Sequence, residues 1–151
     1  MKRFFVLPLM VLSGFVPGKM HSILDPTGTY ILKGAVKNNR VTGHSGELRV
    51  RLMDDHTVAL CFYINAGYPG YQSGSLIDTL SYDNNTAIYQ PAQDTGCAIY
   101  FYFGMQKVAI TKVMSDPHSG CGFAPEVLVP VTIPKVSSDI PVIQNLGGRG
   151  G

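Results

Sequence analysis

The chain predicts an all-β fold, an eight-stranded antiparallel meander closing into a small up-and-down barrel with one disulfide. Three observations support this. After the first 22 of its 151 residues, no stretch sustains a 3.6-residue apolar period. Period-2 alternation recurs instead at short spacing, punctuated by Gly, Pro, Asn and Asp. Cys97 and Cys121 each sit where an alternating strand meets a loop, as paired cysteines of an exported domain do.

The first predicted strand covers Gly28 to Val36. In the second, Glu47 to Leu52, Leu48, Val50 and Leu52 face a core while Arg49 and Arg51 face water. Met53-Asp54-Asp55-His56 turns the chain into Thr57 to Ile64, where Val58, Leu60, Phe62 and Ile64 alternate with Ala59, Cys61 and Tyr63. Ser75 to Tyr82, an Asp83-Asn84-Asn85 turn and Thr86 to Tyr89 follow. Cys97 to Phe103 pairs through Gly104-Met105-Gln106 with Lys107 to Met114 as a hairpin, and Phe123 to Ile133 is the last, proline-interrupted strand. Phe62, Tyr100, Phe101 and Phe103 are expected to fill the interior.

Antiparallel parity sorts the connections onto two ends. Tight turns at 53–56, 83–85 and 104–106 share one end; the longer loops 37–46, 65–74, 90–96 and 115–120 share the other and form a rim suited to recognition. The same parity brings Cys97 and Cys121 together, and closing that loop should stabilise by roughly 3–4 kcal/mol. Cys61 is the odd cysteine, read as a buried small hydrophobe, with a reactive or intermolecular thiol as the alternative.

Residues 1–22 read as a signal peptide: Met1-Lys2-Arg3 precedes an apolar run from Phe4 to Leu12 that is too short to span a bilayer as a helix. An uncleaved anchor, or a hydrophobic terminus packed on the fold, is the alternative, and membrane contact is expected only through an uncleaved leader, if at all. Residues 23–146 form a single domain, and 147–151 a disordered tail. The location expected is periplasmic or secreted. Removing the leader takes Lys2, Arg3 and Lys19, leaving nine bases against ten acids, a formal charge of −1 in place of +2. That balance argues against nucleic-acid binding. Between Met53 and Gln106 there is no Lys or Arg, while Asp54, Asp55, Asp78, Asp83 and Asp94 occur, so a basic partner is favoured there; plain turn aspartates are the alternative.

Three cysteines without a Cys-x-x-Cys, and four histidines without close spacing, imply no metal site, and no cofactor is expected. Asp116, His118 and Ser119 lie close in sequence but carry no nucleophile-elbow motif, so no enzymatic activity is expected. The rim holds Gly67-Tyr68-Pro69-Gly70-Tyr71-Gln72-Ser73-Gly74, whose tyrosines offer large contact area at low entropic cost. Tyr68, Tyr71, Ser73, Gly74, His118 and Ser119 are therefore the candidate partner-binding residues, with a tyrosine corner packed on the barrel mouth as the alternative for the tyrosines.

Gly67-Tyr68-Pro69 through Ser73-Gly74-Ser75, Asp78-Thr79-Leu80, the strand Cys97-Ala98-Ile99-Tyr100-Phe101-Tyr102-Phe103 and Cys121-Gly122-Phe123 also carry a resemblance. Over about Gly28 to Leu146 the chain resembles small uncharacterised exported bacterial proteins, whose plan is similar to that of the bacterial lysozyme inhibitors. That resemblance implies a small β-barrel that inhibits an extracytoplasmic enzyme through a Ser-Gly loop. Ser73-Gly74 and Ser119-Gly120 are candidate Ser-Gly steps on the long-loop rim, and neither is followed by the tyrosine pattern of the inhibitor families. The expected partner is an extracytoplasmic protein, a basic hydrolase such as lysozyme. A lipocalin-like carrier of a small apolar ligand and a cell-envelope structural component are the alternatives, and interior size separates the carrier from the binder.

Overall fold

A computed structural model describes residues 22–144. The expected leader, apart from Ser22, and the expected disordered tail lie outside the described residues. Ten strands form: β1 (Gly28–Leu32), β2 (Ala35–Lys37), β3 (Arg40–Thr42), β4 (Ser45–Asp54), β5 (Thr57–Asn65), β6 (Ser73–Asp83), β7 (Thr86–Tyr89), β8 (Cys97–Phe103), β9 (Lys107–Met114) and β10 (Val131–Ser137). Eight of them close an antiparallel barrel in the order β1-β10-β9-β8-β7-β6-β5-β4, and β2 and β3 make a separate hairpin.

Alternation supplies the core. Leu48, Val50, Val58, Leu60, Phe62, Ile64, Ile99, Phe101, Val108 and Ile110 are all buried at inward positions. Aromatic side chains fill the interior in two groups. Tyr30, Tyr82 and Phe103 meet towards the tight turns, with ring centroids 6.0 and 5.9 Å apart; Phe62 meets Phe101 at 5.8 Å and Phe123 at 6.2 Å towards the long loops. Tyr100 departs from expectation. It lies outward, its ring stacked on that of Tyr102, because odd positions of β8 face the core and even ones the solvent.

Both mouths are closed. At the tight-turn end the Tyr30 hydroxyl donates to Pro26 O (2.8 Å) and the Tyr82 hydroxyl to Leu24 O (2.7 Å), drawing the segment before β1 across the opening. Burial there pushes both phenols up, Tyr82 to about 12 with Asp25 adding to the rise. At the other end Phe123, Val127 and Leu128 are buried in the core.

Two strand boundaries differ from expectation. The strand expected over Gly28 to Val36 stops at Leu32, because Asn38 and Asn39 adopt positive φ and turn Ala35–Lys37 back onto Arg40–Thr42. The final strand is Val131–Ser137 instead of Phe123 to Ile133. Pro125 and Pro130 lack the N–H a ladder needs, so residues 123–128 become the plug and pairing resumes after Pro130. Connections sort by length as parity requires: 55–56, 84–85 and 104–106 at one end, and 33–44, 66–72, 90–96 and 115–130 at the other.

Candidate functional site

The rim is built around the loop 66–72. Asn65, the last residue of β5, holds it from below: its Oδ1 accepts from Gly67 N (2.7 Å) and its Nδ2 donates to Tyr71 O (2.8 Å). Within the loop Ala66 N donates to Gln72 O and Tyr71 N to Gly67 O, both at 2.8 Å. Tyr68 N donates to Val41 O (2.8 Å), fastening the loop to the β2–β3 hairpin. Gly67 permits this approach. Its φ is +77°, and a Cβ there would stand 2.3 Å from Gly43 O. The Tyr68–Pro69 peptide is cis, and Tyr71 has φ 50°.

This scaffold leaves Tyr68 and Tyr71 exposed by 44% and 45%, with ring centroids 6.2 Å apart in an edge-to-face pair. The Arg40 guanidinium carbon lies 4.5 Å from the Tyr68 centroid, a cation–π contact from the hairpin. Beside them a cleft of about 350 Å³ opens between the 66–72 loop, His44 and Glu126. His44 Nε2 lies 2.8 Å from Glu126 O, joining the first long loop to the last.

The other candidates are placed differently. Ser73 is exposed and pairs with Asn65, while the ring of Phe123 lies within 2.4 Å of where a Gly74 Cβ would stand, so Gly74 makes room for the plug. His118 is exposed and Ser119 half-buried on the disulfide loop. Cys97 and Cys121 are bonded with their Cα atoms 5.5 Å apart. Asp94 fixes that loop: its Oδ2 accepts from Gly120 N (3.0 Å) and Cys121 N (2.9 Å). Its carboxyl is held below the usual range by the Ser119 hydroxyl first and those two amides next. Asp116 Oδ1 accepts from the backbone N–H of His118 (2.9 Å).

The aspartates of the cation-free segment scatter. Asp54, Asp55 and Asp83 lie at the tight-turn end, far along the barrel from the tyrosines, and Asp94 is engaged with backbone amides. Lys37 and Arg40 stand on the hairpin beside Tyr68 instead. Of the five, Asp94 alone lies on a long loop, where Asp116 and Glu126 of the 115–130 connection join it at the rim end.

Asp78 is the residue that alternation reasoning passed over. It is opposite Leu60 in the β5–β6 register, between the inward-facing Leu76 and Leu80, yet it is exposed. A carboxylate at a core-phase position of Leu76-Ile77-Asp78-Thr79-Leu80 was the available signal. Comparison of the chain with protein-family models, with curated proteins and with solved structures finds no match.

Proposed function

We propose that the chain is a periplasmic or secreted binding protein whose long-loop rim contacts another extracytoplasmic protein, inhibiting an enzyme such as lysozyme. The observation carrying this is the pair of half-exposed tyrosines on a loop held by hydrogen bonds from Asn65 and the hairpin. Large aromatic surface on a rigid loop binds with little ordering cost. The disulfide is compatible with an extracytoplasmic location. The side-chain-filled interior and the two closed mouths favour contact at the rim over carriage of an apolar ligand inside.

The test is a cell-wall lysis assay titrating the oxidised protein against a chicken-type lysozyme at low and moderate salt. Dose-dependent protection that is lost in the double variant Tyr68→Ala, Tyr71→Ala supports the reading. Protection that survives both substitutions moves the contact off the rim, and no protection at either salt removes this lysozyme type as the partner. Since Glu126 stands beside the tyrosine loop and Lys37 and Arg40 lie on the neighbouring hairpin, the rim carries both signs of charge, and protection should weaken less than tenfold between about 50 and 200 mM salt.

A further inference from the structure

The barrel is closed unevenly. β6 pairs with β5 along Ser73 to Ser81, but its register with β7 runs through Tyr82↔Ala87 and Asp83↔Thr86. Beyond that hinge the two strands diverge towards the rim. In an antiparallel ladder successive residues turn their N–H and C=O to opposite sides. Tyr82 N donates to His56 O on the β5 side, and Gln72 O accepts from Ala66 N on that side too. Even-numbered residues of β6 therefore bond to β5, and Ser75, Ile77 and Thr79 present their N–H and C=O to the diverging side. One of these donors is satisfied locally: Thr79 N donates to Asp78 Oδ1 at 2.7 Å. A cleft of about 430 Å³ lies alongside, between Asp78 and the segment Tyr89 to Gln93.

We propose that this open edge of β6 accepts an extended basic segment of another protein by strand addition, with Asp78 as the selecting group. Unpaired edges are templates for an added strand, and the edge segment carries no Pro, no Lys and no bulge; the inward-phase charge of Asp78 is its one guard, which turns away segments that bring no cation to it. Charge sets the occupant. A residue opposite Asp78 points to the same side as Asp78, so Lys or Arg there meets the carboxylate, while its two neighbours point outward beside the half-exposed Ile77. The preferred segment thus has one basic residue flanked by apolar ones. A second copy of this chain fits less well, because antiparallel self-pairing over Ser75 to Thr79 sets each Asp78 opposite Leu76, which offers it no cation, and places the two carboxylates on a diagonal. The inference goes beyond the rim reading and uses none of its residues.

Amide hydrogen exchange followed by NMR on the full chain tests both halves. In the free protein, Ser75 and Ile77 amides should exchange readily while Leu76 and Leu80 are protected. A short capped peptide of alternating threonine and valine with a central lysine should slow Ser75 and Ile77 exchange, and its central-glutamate counterpart should bind about tenfold more weakly. Asp78→Asn should erase that preference, and Asp55→Asn, at the opposite end, should leave it intact. Protection of Ser75 and Ile77 equal to that of Leu76 in the free protein, absence of binding by the lysine peptide, or equal affinity for the two peptides would overturn the proposal.

Discussion

At Gly67 one hydrogen atom in place of a side chain lets the tyrosine loop reach the hairpin. A methyl group there meets a backbone oxygen that cannot yield, in a left-handed conformation that L side chains seldom adopt. Gly67→Ala should therefore lower stability by about 1–3 kcal/mol in urea unfolding and detach Tyr68 N from Val41 O, seen as faster exchange of that amide. Asp94 makes a second residue-scale prediction. Its folded carboxyl titrates below its ordinary 3.8, so the ionised form is favoured by folding. Its contribution is complete above the unfolded value and is lost as pH falls through the lowered one. Melting temperatures recorded from pH 6 to pH 2 should drop less steeply in Asp94→Asn than in the parent chain, and parallel curves would contradict the assignment.

Among the elements, the 115–130 connection does two jobs. It closes the long-loop mouth with Phe123, Val127 and Leu128, and it is tied back to β8 by the Cys97–Cys121 bond and to the 90–96 loop by the hydrogen bonds that Asp94 accepts from Gly120 N and Cys121 N. Reduction should cost roughly 3–4 kcal/mol, read as the shift in urea midpoint with and without a thiol reductant. Because β8 keeps its ladders to β7 and β9, the far-UV spectrum in the absence of urea should stay β-rich after reduction. The β2–β3 hairpin is the other element with a purpose at the rim, since its Arg40 and Val41 hold Tyr68 from the ring side and the backbone side respectively.

For the whole molecule, the tail after β10 matters as much as the barrel. Arg49 Nη1 donates to Val142 O (3.4 Å), and residues Ile140 to Ile143 pass over Arg51, Met53 and Ala59. Beneath this cover Cys61 is fully buried although it is on the outer face, in register with Arg49 and Ile77. Burial raises its thiol, with the Gln144 backbone opposing the rise. Truncation after Ser137 should speed the reaction of Cys61 with a chromogenic disulfide by at least tenfold at pH 8, as local opening limits access in the full chain. Equal rates would mean that the tail does not shield the thiol.

Alternation along Leu48 to Leu52, Val58 to Ile64 and Cys97 to Phe103 was enough to determine these strands, their inward faces except at Tyr100 and, by parity, which loops gather at one end. Those features depend on neighbours along the chain, where a period of two is visible. The cysteine pair followed from the same parity, and so did the position of Tyr68 and Tyr71 on the rim. Tertiary structure alone decided the rest. Whether Phe123 to Leu128 pairs as a strand or plugs a mouth depends on the space left by the closed barrel. What lies beyond Gly67 depends on a hairpin more than twenty residues earlier. That Asp78 faces an open seam depends on β7 leaving β6 after two residue pairs. Contacts between residues distant in sequence leave no periodic trace in it, which is why the seam and the plug became visible only with the barrel closed.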